Sequence, residues 1–273
     1  MNYALMTYTF ARQTPGGKPD MVKLCKLTRE LGLEAMDQVG LYGHDAAEVR
    51  RIADDHGVRI VCYTFFVDIN FADAASRKPG LDELKRGVEI ARTLGAPAVM
   101  LPIGGKQGLT REQSRRNVIE GLREGARFGK AAGVKVSVEH FPQAISPFVV
   151  SDDVDEALKA VPDLYVTFDS GNMLTGGEDP CRAFLRHSRR IVHAHFKDWT
   201  RVSDGGMVGL DGNRYKGALI GEGVVDYKRL VPTMVRAKYA GFVDLEYEGN
   251  DYTPEDATRR ALDYLRSLEA SPE

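Results

Sequence analysis

The sequence predicts an α/β protein, a single (β/α)8 barrel spanning residues 1–273. The first observation behind that expectation is a recurring junction. Five times an amphipathic helical stretch runs through a glycine directly into a short apolar strand, at "LGLEAMD", "HGVRIVCY", "LGAPAVML", "AGVKVSVE" and "AGFVDLE". A glycine just past a helix end adopts the left-handed cap without a Cβ clash, so Gly32, Gly57, Gly95, Gly133 and Gly241 each mark a helix stop. The second observation is spacing. Steps from Gly32 are 25, 38 and 38 residues, and the remaining 108 hold three units of about 36, the length of a βα repeat. The third is the lack of a Pro- or Ser-rich linker, which favours one barrel over a doubly wound sheet with a second domain.

Taken in order, the first strand is "YALMTYTF" at the N-terminus, and the next four follow the first four glycines. "DLYVTFD" (163–169) and "RIVHAHF" (190–196) are the sixth and seventh, and the strand after Gly241 is the eighth. All are short and rich in Val, Ile, Leu, Ala and Tyr, as expected of parallel strands buried on both faces. Helix starts are marked by hydroxyl caps. Thr110 is followed by Gln113, and Thr253 by Pro254 and Asp256. The stretch from Arg201 to Gly223 holds seven glycines and breaks the rhythm, since 51 residues separate His195 from Glu246. It reads as a lid over the barrel mouth.

Composition excludes several function classes. Lys and Arg number 37 against 39 Asp and Glu, so a net charge of -2 offers no general attraction for nucleic acid or anionic membranes. Cys25, Cys62 and Cys181 are widely spaced with no CxxC, which suggests neither a disulfide framework nor a thiolate metal site. With no leader-like N-terminus and no membrane-length apolar run, the expected location is cytoplasmic.

In a (β/α)8 barrel the C-terminal strand ends form the active-site mouth. The fifth to eighth strands end at Glu139, Asp169, His195 and Glu246. Alone, each is an ordinary loop cap or core polar group. Together, three carboxylates at one mouth would cost several kcal/mol in desolvation and repulsion unless a cation joined them. Three carboxylates and one imidazole suit Mn²⁺ first, with Co²⁺, Mg²⁺ or Zn²⁺ as alternatives. His193 lies two residues before His195, so both face the barrel interior, with His193 one layer deeper as a hydrogen-bonded support.

The strand ends "VSVEHF", "VTFDSGN", "VHAHFKDW" and "VDLEYEG", with "LIGEGVVDYKRL" before the last helix, resemble the xylose isomerase-like barrel superfamily of sugar isomerases and epimerases, near the ketose 3-epimerases. The resemblance implies that Glu139, Asp169, His195 and Glu246 bind one divalent cation, that Glu139 and Glu246 move protons, and that Arg201 contacts a sugar or sugar-phosphate substrate. It also implies a homodimer or homotetramer. The chain departs from the pattern at Asn172, where the family often has His, and at Asp37, where the second strand often ends in Glu. Both are expected to touch substrate, Asp37 through water.

The expected chemistry is isomerase or epimerase chemistry through an enediolate, one glutamate taking a proton beside a carbonyl and the other returning it. Lys197 would polarise a substrate oxygen or close a plain salt bridge, and Asp198 would orient an imidazole. Trp199 heads a set of candidate wall aromatics with Tyr8, Phe10, Phe65, Phe66 and Phe141. The competing reading is a metal-dependent lyase on the same scaffold, a keto-inositol dehydratase or 3-keto-glycoside β-eliminase, with His140 as an extra base. A non-catalytic sugar-binding protein is disfavoured by the two glutamates. An apurinic endonuclease is rejected, because strands three and four end in Tyr63-Thr64 and Pro102-Ile103 rather than further ligands. "GGKQG" (104–108) lacks phosphate-loop spacing.

Overall fold

The computed structural model describes residues 1–269. Eight parallel strands close a barrel in chain order: β1 (Asn2–Met6), β2 (Ala35–Val39), β3 (Arg59–Thr64), β4 (Ala98–Leu101), β5 (Lys135–Glu139), β6 (Tyr165–Asp169), β7 (Ile191–Phe196) and β11 (Phe242–Leu245). The last strand returns to the first, with Asn2 beside Phe242 and Leu5 beside Leu245. Helices α2 (Met21–Glu30), α3 (Ala46–Asp55), α4 (Ala74–Leu94), α5 (Arg111–Ala132), α6 (Ser151–Ala160), α7 (Pro180–His187), α8 (Tyr227–Arg236) and α9 (Pro254–Glu269) form the outer layer. Val136, Val138, Val166, Phe168 and Phe196 are buried in the shared core. At about 1.5–3 kcal/mol for each fully buried large apolar side chain, this layer dominates the stabilisation.

The local signals act as their chemistry requires. Thr110 and Gln113 make a reciprocal capping box on α5, and Thr253 accepts from the Asp256 N–H at 3.2 Å. Gly95 and Gly133 hold left-handed conformations, with φ of 74° and 72°, at the ends of α4 and α5. Gly241 differs. After α8 the left-handed position falls on Lys238, with φ of 54°, so Gly241 lies beyond the cap. The first strand is also shorter than expected: the chain leaves the sheet after Met6 and makes a helical turn, α1 (Thr7–Ala11). There Thr7 bonds across to β2, accepting from the Val39 N–H and donating to the Asp37 carbonyl.

The segment expected as a lid is an ordered antiparallel sheet. Strands β8 (Asp198–Val202), β9 (Met207–Val208) and β10 (Arg214–Ala218) pair in the order β8-β10-β9 and stand over one side of the mouth. Among the described residues no helix is long and apolar enough to cross a membrane.

Candidate active site

A cavity of about 660 Å³ opens at the C-terminal end of the barrel, lined from below by Glu139, His195, Lys197 and Glu246. Tyr8, Phe66, Phe141, Trp199 and Tyr215 form aromatic walls, and Met207, Lys216 and Gly217 of the antiparallel sheet, with Gly206 just before β9, complete one side. Phe10 and Phe65 are not among the lining residues. Phe65 is buried in the core and stacks on Tyr63 at 5.1 Å.

Three strand ends converge beneath this cavity. Glu139, Asp169 and His195 each bring one ligand atom within 4.8 Å of the others. The turn after β6 aims Asp169: its Oδ1 accepts from the N–H groups of Gly171 (2.9 Å) and Asn172 (2.7 Å), and its buried Oδ2 has no hydrogen-bond partner among the described residues. His195 Nδ1 is likewise buried with no hydrogen bond among the described residues, and lies 3.5 Å from Glu139 Oε2 and 3.8 Å from Glu246 Oε2. Glu246 is divided between two neighbours, because its Oε1 lies 3.0 Å from Lys197 Nζ. The ammonium also meets Glu248 at 2.9 Å and Asp169 at 3.7 Å.

The charge balance fits a cation. Asp169, Glu246 and Glu248 are gathered around one ammonium, while Glu139 faces the His195 ring. Burial pushes the Asp169 carboxyl up to about 6 and Glu246 well above the carboxylate range, in each case against the pull of Lys197. Burial opposes charge on Lys197 and on His195, yet the surrounding carboxylates hold both well above their ordinary values. The same negative field that favours a proton on His195 favours a divalent cation there. Two orphaned donor atoms, Asp169 Oδ2 and His195 Nδ1, and an oxygen-rich set with one imidazole match what such an ion requires.

A second layer lies under His195. Its Nε2 is 3.3 Å from Asp37 Oδ2, and the same oxygen is 3.3 Å from His193 Nε2, which meets Asp244 Oδ2 at 2.8 Å. The sequence reading missed Asp244, although the signal was present: it stands two residues before Glu246, as His193 stands two before His195, and so shares its face of the strand. Glu248, Tyr215 and Lys216 also went unnoticed, the last two because they reach the cavity on β10.

Several expected contacts fall elsewhere. Asp37 is fully buried below His195 and does not reach the cavity. Its side chain is shorter than Glu and is enclosed by Thr64, His193 and His195. Asp198 orients no imidazole. Alternation along the chain turns it away from Lys197, and its carboxylate accepts from the N–H groups of Trp199, Gly221, Gly223 and Val225. Arg201 is exposed on β8, where Tyr215 and Asp211 are its neighbours rather than the cavity. His140 points away from the mouth, wholly buried, with its ring 5.8 Å from that of His187. Asn172, Lys197 and Trp199 do line the cavity, and Lys197 Nζ stands 3.5 Å from Asn172 Oδ1.

Comparison with known proteins places the fold. An inosose dehydratase of Geobacillus kaustophilus (strain HTA426) is 23% identical over 265 residues, covering 88% of this chain and 84% of that protein. The IOLI protein, solved with a bound zinc atom, superposes with a TM-score of 0.78 at 16% identity, covering 99% of this chain and 100% of that one. An L-ribulose 3-epimerase superposes with a TM-score of 0.79 at 15% identity, covering 98% and 95%. The model of one family, described as xylose isomerase-like TIM barrel, matches residues 25–268, and with the barrel and its converging strand ends the chain belongs to that family.

Proposed function

We propose that this protein is a divalent-cation-dependent lyase that removes a proton beside the ketone of an uncharged cyclic polyol or sugar and expels the hydroxyl one carbon further on. The observation that carries the reading is an asymmetry. Glu139 and Glu246 both face His195 Nδ1, but Glu246 is ion-paired with Lys197 at 3.0 Å. A pair of interchangeable bases would serve an epimerase. A carboxylate not paired with the ammonium, opposite one that is, instead offers a base and a proton donor, the needs of an elimination.

Glu139, Asp169, His195 and Glu246 would hold the cation, which when bound polarises a ketone oxygen and stabilises the charge it gains. Glu139 takes the proton from the adjacent carbon, and the electrons of that C–H bond become the new double bond. The C–O bond one carbon further on then breaks. Lys197 gives a proton to the departing oxygen, which leaves as water, while Glu246 and Glu248 hold the ammonium in place. Asn172 and the Trp199 wall orient the ring from the side. Among the described residues the cavity lining has no arginine, and its carboxylates Glu139, Glu246, Glu248 and Asp251 outnumber its cations Lys197 and Lys216, so a neutral substrate is favoured. The inosose dehydratase among the relatives supports the same class, and the solved neighbours, at 15 and 16% identity, support the fold alone.

Epimerase or isomerase chemistry is the second reading, favoured by the nearly equal approach of the two glutamates to His195 Nδ1, 3.5 and 3.8 Å. Incubating an inosose and a set of ketoses with the Mn²⁺-loaded protein in D₂O, followed by NMR, separates the two. Loss of one hydroxyl with a new enone-type signal supports the lyase. Deuterium on an intact carbon skeleton, with inverted configuration, supports the epimerase.

A further inference from the structure

We propose that Asp37 is a positioning residue for the cation site: it commits His195 to the tautomer carrying hydrogen on Nε2, so that Nδ1 turns its lone pair toward Glu139, Asp169 and Glu246. The inference rests on the cation reading of that site.

Imidazole presents two chemically different faces, and only one nitrogen of the neutral ring can accept or ligate. His195 Nδ1 faces Glu139 and Glu246 at 3.5 and 3.8 Å, and its Nε2 faces Asp37 Oδ2 at 3.3 Å. An ionised carboxylate is an acceptor only, so in the neutral ring that would ligate a cation Asp37 takes the hydrogen on Nε2 and leaves the Nδ1 lone pair for the ion. With an uncharged neighbour in place of Asp37, both tautomers would be populated, and the second would aim N–H at the ligand carboxylates.

Asp37 is built to hold this position. Its strand shifts register against β3 between Met36 and Asp37, a local irregularity of the kind that re-aims a side chain. The shift brings Asp37 Oδ2 under His195, where Thr64 Oγ1 donates to it at 3.0 Å. From below, His193 stands between Asp37 and Asp244, 3.3 and 2.8 Å from their Oδ2 atoms. Its ring meets that of His195 edge-on, at 5.2 Å and 89°. Asp37, Asp244, His193 and His195 are all at most 1% exposed, so packing leaves none of them an alternative rotamer in solvent. The sequence thus places one carboxylate where it can select a tautomer and two further residues that fix the carboxylate.

The test strips the protein with chelator and titrates it with Mn²⁺, comparing wild type with Asp37→Asn. The expected result is one tight site in wild type and about 10- to 100-fold weaker binding in the variant, with unchanged circular dichroism. A second readout separates positioning from general damage: in the zinc-loaded protein the His195 Nε2 proton should resonate far downfield and exchange slowly, and Asp37→Asn should abolish that signature. Wild-type affinity in a folded Asp37→Asn protein overturns the inference. Failure of wild type to bind any cation overturns the site reading and this role with it. If Asp37→Asn does not fold, Thr64→Val decides, because it removes only the hydroxyl that braces Asp37. Affinity weakened a few-fold supports the role, and unchanged affinity overturns it.

Discussion

The Nζ of Lys197 lies 3.0 Å from Oε1 of Glu246, and both side chains are almost wholly buried on the floor of the cavity. Lys197→Met leaves Glu246 and Glu248 without their shared counter-charge. Breaking a buried pair in this way costs about 3–5 kcal/mol, so the metal-free variant should melt well below wild type. Addition of Mn²⁺ should restore part of the loss, because a second cation relieves the same carboxylates. On the proposed lyase reading, dehydration should fall about 10²-fold or more even at saturating Mn²⁺, since the departing oxygen would lose its proton donor. Thermal melts with and without Mn²⁺, paired with a turnover assay, check both effects. An equally stable and equally active variant contradicts this role for Lys197.

Asp198 ties the antiparallel sheet to the loop before α8. Its two oxygens accept from four backbone N–H groups, at 2.9 Å from Trp199, 3.0 Å from Gly221, 3.1 Å from Gly223 and 3.0 Å from Val225. Asp198→Asn turns one acceptor into a donor facing donors, at a cost of about 1–3 kcal/mol. Limited proteolysis should then cut within 201–223 faster than in wild type, and KM should rise because Trp199 and Tyr215 line the cavity from this sheet. Identical cleavage rates would argue that the loop is held by other contacts.

His140 couples stability to pH. Burial, with His187 beside it, holds the imidazole down to about 3 against the weaker pull of Asp155. An unfolded histidine takes its proton near 6.5, so between about 6.5 and 3 the unfolded state binds more protons than the folded one. Stability from this group is complete above 6.5 and is lost as pH falls through that window. His140→Phe removes the imbalance, and its unfolding free energy should decline less steeply with acid, by about one proton's worth of slope. Denaturant titrations at several pH values measure the slope, and parallel curves for the two proteins would contradict the assignment.

The barrel could be read from the chain because its signals are local. Gly95 and Gly133 end helices by backbone sterics, Thr110 starts one by capping, and apolar runs four to six residues long, each following a helix stop, are what parallel strands buried on both faces look like. The positions of Glu139, Asp169, His195 and Glu246 at strand ends follow from the same rule. What escaped depends on contacts between distant segments. The resemblance implies a substrate contact for Arg201, but the residue falls in β8, whose pairing with β10 sets it outside the cavity. Asp37 was expected at the substrate, but a register shift carries it beneath His195. Asp198 shares a motif with Lys197 yet faces the opposite way, toward N–H groups more than twenty residues downstream.

The central claim is that Glu139 removes the proton beside a ketone held over the cavity floor. The most direct measurement is exchange of that proton with solvent deuterium, followed by NMR with an inosose at saturating Mn²⁺, for wild type and Glu139→Gln. The account predicts rapid exchange or elimination in wild type and a loss of about 10²–10⁴-fold in the variant, with cation still bound. Exchange at the wild-type rate in Glu139→Gln would contradict it.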